Sequence, residues 1–408
     1  MDTMSFNQLA TVLNSIQKQA TGKNALTATD TASFVSCATT TLRTGYDPVL
    51  SAVSQILSKT IFSVRPYSRK FAGLRADAIR YGNHVRKLVT LDKDFEEDDR
   101  IKLTDGEAVD QYVVNKPKVL QTNFYGENVY QKSMTIFRDQ LDSAFSGPEQ
   151  FGSFISMVMQ NASDMIEQAH ENTARATVAN FIAGKFAMED NVVYLLDLYD
   201  AETGATSTAA SIKQPENFVP FCKWLMAYLR TQSDLMTERS IKFHKNFTIN
   251  TAAVDIPRHT PIANQKLYIY SKDLNDMDAS VLSSVFHDKY LKIMDHERVN
   301  FFQSIETPTT VKAKPAYNDT DGTVINSTDT VTVENILGVL FDEEAIGYTV
   351  INEWSQPAVF NARGGYSNIF WHFTDRFWND YSENAIVLLL DHAPTGTRAS
   401  TAKTAKAE

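Results

Sequence analysis

Residues 146–184 read SGPEQFGSFISMVMQNASDMIEQAHENTARATVANFIAG, and the architecture turns on this stretch. Ser146-Gly-Pro-Glu149 fits a capping box: Ser146 accepts from the first turn, Glu149 reaches back, and Pro148 sits where no backbone donor is needed. Beyond it Phe151, Phe154, Ile155, Val158, Ala162, Met165, Ile166, Ala169, Thr173 and Ala176 recur every three or four residues, the spacing of one helical face. Gly184 supplies the stop. The spacing predicts a helix of roughly 36 residues, about 55 Å long at 1.5 Å per residue and far above the average of about 11 to 12 residues. Its stripe is small and mixed, with no clean heptad and no charged flanks, so it suits a sheet better than a coiled coil.

Upstream of the long helix, residues 85–140 alternate as strands do. Val85, Lys87, Val89 and Leu91 lead into the acidic cluster Asp92 to Asp99, and the pattern resumes through Val109, Tyr112, Val113 and Val114 and again from Val119 to Tyr125. A long charged hairpin is expected, with a tip too densely charged to bury. The first sixty residues are rich in Thr, Ser, Ala, Asn and Gln. Leu9, Val12, Leu13 and Ile16, and then Val49, Val53, Ile56 and Leu57 after Pro48, mark two short amphipathic helices joined by a Thr-rich connector. Neither could bury its stripe alone. Such a segment is either a loosely packed terminus or an extended arm on a neighbouring subunit, and we read it as the arm.

Downstream, residues 200–216 form a polar loop and a second domain begins near Pro215. Phe218, Phe221, Cys222, Leu225, Met226 and Leu229 mark an amphipathic helix, followed by strands at Phe247 to Asn250 and Leu267 to Tyr270 and a helix from Ala279 to His287. After the polar insertion Tyr317 to Thr330, the runs Ile336 to Phe341 and Tyr348 to Ile351 read as a hairpin across Asp342 to Gly347. Val359-Phe360 and Ile369 to Phe373 form a second, longer hairpin around Arg363-Gly364-Gly365, and Ala385 to Leu390 is a buried closing strand. The tail from Pro394 to Glu408 has no large apolar residue and should be disordered.

Composition limits what such a chain does. With 408 residues, 43% hydrophobic and 22% charged, it can bury a core in two or three domains, which excludes a disordered or collagen-like protein. Lys plus Arg number 39 against 49 Asp plus Glu, a net charge of -10, so the surface repels phosphate backbones and tight sequence-independent nucleic-acid binding is not expected. The two cysteines, Cys37 and Cys222, permit no disulfide framework, and a reducing compartment fits. The longest apolar run, Ala385 to Leu390, is far short of the ~20 residues of a membrane span, and the start carries Asp2 with amphipathic spacing where a secretory signal would be basic and then apolar. A soluble cytosolic chain is expected.

Catalytic signatures fail one by one. Gly22-Lys23 and Gly184-Lys185 lack the glycine spacing and the Ser or Thr of a phosphate loop, and there is no nucleophile elbow. His287, Asp295, His296 and Glu297 lack metal-ligand spacing. In Asn318-Asp-Thr-Asp-Gly322, Tyr317 and Thr328 occupy calcium-ligand positions that demand carboxylates. Glu343 and Glu344 flank a turn without a partner base, and the aromatic group Tyr366, Phe370, Trp371, Phe373, Phe377, Trp378 and Tyr381 has too few basic neighbours for a base-stacking platform. No catalytic residue, cofactor or metal is therefore assigned. Sixteen Tyr, 24 Phe and four Trp point to large buried interfaces instead.

Three stretches carry a resemblance. Phe124-Tyr-Gly-Glu-Asn-Val-Tyr-Gln-Lys-Ser-Met-Thr-Ile136 with Phe151-Gly-Ser-Phe154 is the first. The second is Leu267-Tyr-Ile-Tyr-Ser-Lys-Asp-Leu274 with Asp278-Ala-Ser-Val-Leu282 and Phe286, and the third Arg363-Gly-Gly-Tyr-Ser-Asn-Ile-Phe-Trp-His372 with Phe377 and Asn384-Ala-Ile-Val387. Over residues 60–392 the chain resembles the major capsid proteins of tailed phages, with the Hong Kong-97-type fold, in particular those of the phi-29-like short-tailed group. Their motifs are a pattern of packing residues with no catalytic fingerprint.

The resemblance implies an α+β fold divided into an amino-terminal arm (1–63), a connector (64–84), an E-loop region (85–145) and a peripheral P-domain with the spine helix (146–214). An axial A-domain (215–348), the long P-domain hairpin (349–380), the closing A-domain strand (381–393) and the tail (394–408) complete it. Some relatives add an immunoglobulin-like domain after the last strand; none is expected here. The implied function is a shell of hexamers and pentamers enclosing double-stranded DNA, assembled in the host bacterial cytoplasm with scaffolding and portal proteins as partners and no membrane. An encapsulin-like nanocompartment and an uncharacterised enzyme are the alternatives. Within that reading Lys93, Arg100 and Lys102 pair with carboxylates of an adjacent subunit, the acidic tip residues Glu96 to Asp99 meet basic residues there, and Arg363 is a further intersubunit contact. Nothing in the sequence marks a Lys–Asn–carboxylate trio for covalent crosslinking.

Overall fold

A computed structural model describes residues 6–22, 27–45, 48, 49, 52, 71–74, 85–91, 98–109, 112, 114, 118–249, 252–284, 296–319, 321–357 and 359–394. The chain divides into two compact units, the first made of residues 1–81, 127–174 and 348–377, the second of 82–126, 175–347 and 378–408. The spine is a helix from Pro148 to Ala187, 40 residues, of which 148–174 belong to the first unit and 175–187 to the second.

Both ends of the spine differ from the reading of its sequence. Ser146 does not cap it: its hydroxyl donates to the Ser143 carbonyl at 2.6 Å, and the first helical bond runs from Phe151 N to Gly147 O at 3.0 Å. The cap is thus Gly147, with Pro148 at the first helical position, where its missing donor costs nothing. Gly184 does not stop the helix either. It is needed for contact, because a Cβ there would lie 2.0 Å from the Tyr381 hydroxyl. The end comes where Glu189 and Asn191 take left-handed φ of 50° and 54°.

In the first unit the amino terminus folds on its own chain, which overturns the neighbour-packing arm. Helix Phe6–Thr21 buries Leu9, Val12, Leu13 and Ile16 in a core shared with Phe151, Phe154 and Val158 of the spine and Ile136 and Ile369 of the sheet. The Thr-rich connector is itself a helix, Thr31–Leu42. Asp30 caps it, accepting from Ser33 N at 2.7 Å, and the hydroxyls of Thr39, Thr40 and Thr41 donate back to the carbonyls four residues earlier. Phe34, Cys37, Ala38 and Thr41 then lie on one face and are buried, with Phe34 edge-on to Phe151 at 5.7 Å. Threonine costs a helix only tenths of a kcal/mol per residue, so about 1.5–3 kcal/mol for burying one large apolar side chain outweighs it. Of the second expected helix only Pro48, Val49 and Ala52 are described; Val53, Ile56 and Leu57 lie outside the described residues.

A three-stranded sheet completes this unit, in the order Ile346–Pro357, Tyr366–Asn379, Asn128–Phe137. The last two are antiparallel from Tyr366↔Phe137 to Asp375↔Asn128. The aromatic hairpin is therefore real, but its first arm is Ile346–Pro357 and not Val359-Phe360; Val359 is exposed in the tip.

The second unit holds a five-stranded mixed sheet in the order Val192–Tyr194, Ala385–Leu389, Ile336–Asp342, Gln265–Tyr270, His296–Val299. Helix Pro215–Thr237 lies on one face and buries Phe221, Cys222, Leu225 and Leu229 against Leu267, Ile269, Leu340 and Leu388. Every residue of the central strand Ile336–Asp342 is buried, as a strand covered on both faces must be. It pairs with Gln265–Tyr270 on one side and Ala385–Leu389 on the other, so it does not form the expected hairpin with Tyr348 to Ile351. The helix expected from Ala279 begins eight residues earlier and is described from Ser271 to Ser284, Asp319 and Gly322 lie between the strands of a small hairpin, Ala316–Asn318 with Val324–Asn326, and the stretch 200–216 is not one loop, since helices Leu195–Thr203 and Ala209–Ile212 enter it. The closing strand forms as expected, while the tail beyond Pro394 lies outside the described residues.

Candidate assembly surface

The charged hairpin forms with strands Val85–Leu91 and Lys118–Phe124, paired from Val85↔Phe124 to Leu91↔Lys118. Of the expected strand through Val109, Tyr112, Val113 and Val114, the described residues Val109, Tyr112 and Val114 are not in a strand. Those residues are instead exposed, at 49%, 80% and 76%, beside a one-turn helix, Asp99–Lys102, that leaves Ile101 83% exposed. Alternation gives the ribbon two unlike faces. Leu88, Thr90, Val119 and Gln121 share the open one, whereas Lys87, Val89, Leu120 and Thr122 share the half-buried one. A two-stranded ribbon is marginal on its own, and this one exposes apolar side chains on one face and at its tip.

Of the residues assigned from sequence, Lys93, Glu96 and Glu97 lie outside the described residues. Arg100 is exposed and held by its own chain: Nε donates to Asp98 Oδ2 at 2.8 Å while Asp98 Oδ1 accepts from Arg100 N at 3.0 Å. Those bonds, the side-chain one first, hold the Asp98 carboxyl below its ordinary value. Lys102 closes the same helical turn. Arg363 belongs to the first unit, at the exposed tip of the long hairpin, where its N–H donates to Asn361 Oδ1 at 3.1 Å.

Lys87 was not singled out from sequence. Its Nζ lies 3.1 Å from Asp380 and 3.0 Å from Glu344 and is also paired with Glu383. The available signal was a lysine in register with Val89, a cation on the ribbon face that otherwise packs.

Beneath the spine, the first unit holds a second polar cluster. His170 is 2% exposed, with Nε2 3.0 Å from Glu353 and Nδ1 3.5 Å from Asp375, which also accepts from Tyr130 Oη at 2.5 Å. Burial alone would lower the His170 pKa, but the Asp375 and Glu353 carboxylates facing its two ring nitrogens outweigh it and push it up to about 9. Beside the cluster a groove of about 580 Å³ is lined by Met134, Met165, Ile166, Ala169, Trp371 and Phe373. No group of three His, Cys, Asp or Glu side chains among the described residues is placed to hold a metal.

These surfaces suit association rather than chemistry, and the family agrees. The family described as Phi29-like phage major capsid protein matches residues 13–389. The chain belongs to that family. A Phi29-like major capsid protein is a structural component of the tailed-phage capsid that associates with copies of itself, and the family is not one of enzymes. The fold of mixed helices and strands agrees. It matches a chain of the Staphylococcus phage Andhra capsid with a TM-score of 0.53 at 11% identity, over 82% of this chain and 87% of that one. It also matches a chain in the structure of head fiber and inner core protein gp22 of native bacteriophage P68, TM-score 0.52, 10% identity, over 81% and 87%. At such identities the likeness is one of fold alone. No curated protein matches. Among the described residues of this Phi29-like chain, no helix is long and apolar enough to cross a membrane.

Proposed function

We propose that this chain builds, as hexamers and pentamers, an icosahedral or prolate shell of the Hong Kong-97 type around a double-stranded DNA genome. In this reading the hairpin of residues 85–124 is the E-loop, the spine and the long hairpin form the P-domain, and residues 215–348 with the closing strand form the A-domain. The observation that carries it is the two-stranded ribbon with apolar residues uncovered on one face and at the tip. Such a ribbon gains stability only when a further surface covers it, and a second copy of the chain supplies one in a shell. Lys93, Glu96, Glu97, Arg100 and Lys102 on that hairpin, and Arg363, then pair with opposite charges of adjacent subunits. The net charge of -10 supports a container that leaves DNA movable, since neutralising phosphates would hold it fast. Scaffolding and portal proteins are the further partners, and assembly takes place in the host bacterial cytoplasm.

Electron microscopy of the purified, expressed chain tests this directly. Closed shells are expected, alone or with a co-expressed scaffolding protein; a chain that stays monomeric at high concentration under both conditions overturns the proposal. Charge reversal at Glu96 and Glu97 should reduce shell yield, and unchanged assembly would remove those two residues from the interface.

A further inference from the structure

We infer that Lys87 is an ionic clamp that fixes the attitude of the hairpin on the body of its unit, and that shell formation depends on this clamp. The dependence on shell formation rests on the assembly reading above; the clamp itself does not. Two strands with one open face have no core of their own, so whatever holds their half-buried face sets the direction in which the tip points. On that face one cation meets three carboxylates brought from two separate loops.

Glu344 comes from the turn after the central strand Ile336–Asp342, and Asp380 and Glu383 come from the connection into the closing strand. The Asp380 and Glu383 side chains are 3% and 6% exposed. Asp380 is already committed on one side, Oδ1 accepting from Ser382 N at 2.9 Å and Ser382 Oγ at 2.6 Å, which leaves Oδ2 to Lys87. Arg258 shares Glu383, with Nη1 at 3.0 Å. Take Lys87 away and two nearly buried carboxylates have one guanidinium between them, an uncompensated charge that the fold relieves by opening the loop or releasing the ribbon. Burial works against the charge on Lys87, but Asp380 and Glu383 outweigh it and hold the ammonium above the ordinary lysine range, so the clamp stays closed at neutral pH.

Amide hydrogen exchange over residues 85–91 and 118–124 in the unassembled chain, read beside shell yield by electron microscopy, separates the two parts. Lys87→Met should speed exchange in the hairpin by roughly tenfold or more, with the five-stranded sheet unchanged, and should abolish shells. Lys87→Arg should restore both. Should Lys87→Met fail to fold, pairing it with Asp380→Asn leaves Arg258 and Glu383 as a neutral pair, and the hairpin should still exchange fast on an intact body. Exchange in the hairpin like wild type, or a rise spread evenly over the chain, overturns the clamp. A loosened hairpin with wild-type shell yield overturns its role in assembly. If wild type itself forms no shells, the assembly reading fails while the exchange contrast still decides the clamp.

Discussion

At Gly184 the missing side chain is what lets Tyr381 lie against the spine. Tyr381 stacks on Phe181 at 5.2 Å with the rings 9° apart, and a Cβ on residue 184 would fall 2.0 Å from its hydroxyl. Gly184→Ala therefore overpacks the site, and a loss of about 1–3 kcal/mol in denaturant unfolding is expected; an unchanged midpoint would mean the ring has room to move. His170 makes a different kind of prediction. Both ring nitrogens face carboxylates, which suits the doubly protonated ring. Its folded-state pKa of about 9 lies above the ordinary 6.5, so its stabilisation is complete below about pH 6.5 and is lost as pH rises through about 9. Melting temperatures of wild type and His170→Gln should converge across that window; a constant gap would show that the charge contributes nothing.

The amino-terminal helix is where an element changes allegiance. Leu13 and Ile16 are fully buried, and a Cβ on Gly152 of the spine would lie 3.1 Å from a Leu9 methyl, so the helix is part of its own subunit's core. Leu13→Ala should destabilise the unassembled chain by about 2–5 kcal/mol. Were the helix to belong to a neighbour, the same change would weaken only assembled particles, and comparing unfolding of the two states separates these outcomes. Its periodicity was legible because Leu9, Val12, Leu13 and Ile16 fall on one face whatever covers them, but a stripe does not name its partner. The Thr31–Leu42 helix was illegible for the opposite reason: its threonines mask a buried face that Asp30 and Phe34 make stable. The runs at 336–341 and 348–351 are legible as strands but not as non-partners, since proximity in sequence cannot tell that Ile336–Asp342 already has a neighbour on each side. At the candidate assembly surface, alternation located the hairpin and charge located its tip. Lys87 escaped because its three carboxylates lie more than 250 residues away along the chain.

For the whole molecule the decisive contrast is between a face that stabilises the subunit and a face that is stable only in company. Lys87, Val89, Leu120 and Thr122 tie the ribbon down, whereas Leu88 and Val119 on the opposite face are 59% and 55% exposed. Substituting residues more than half exposed and outside any packed cluster usually changes subunit stability by no more than about 0.5 kcal/mol. Placing charges where a second copy must desolvate them costs several kcal/mol at every repeat of the interface, and a closed shell repeats that cost in every subunit. Leu88→Glu with Val119→Glu should therefore leave unfolding of the isolated chain unchanged while shells vanish from electron micrographs. If shells persist at wild-type yield, this face meets solvent in the particle and the apolar tip, Ile101 with Tyr112 and Val114, must supply the contact; if the isolated chain loses stability as well, the face is already covered within the subunit.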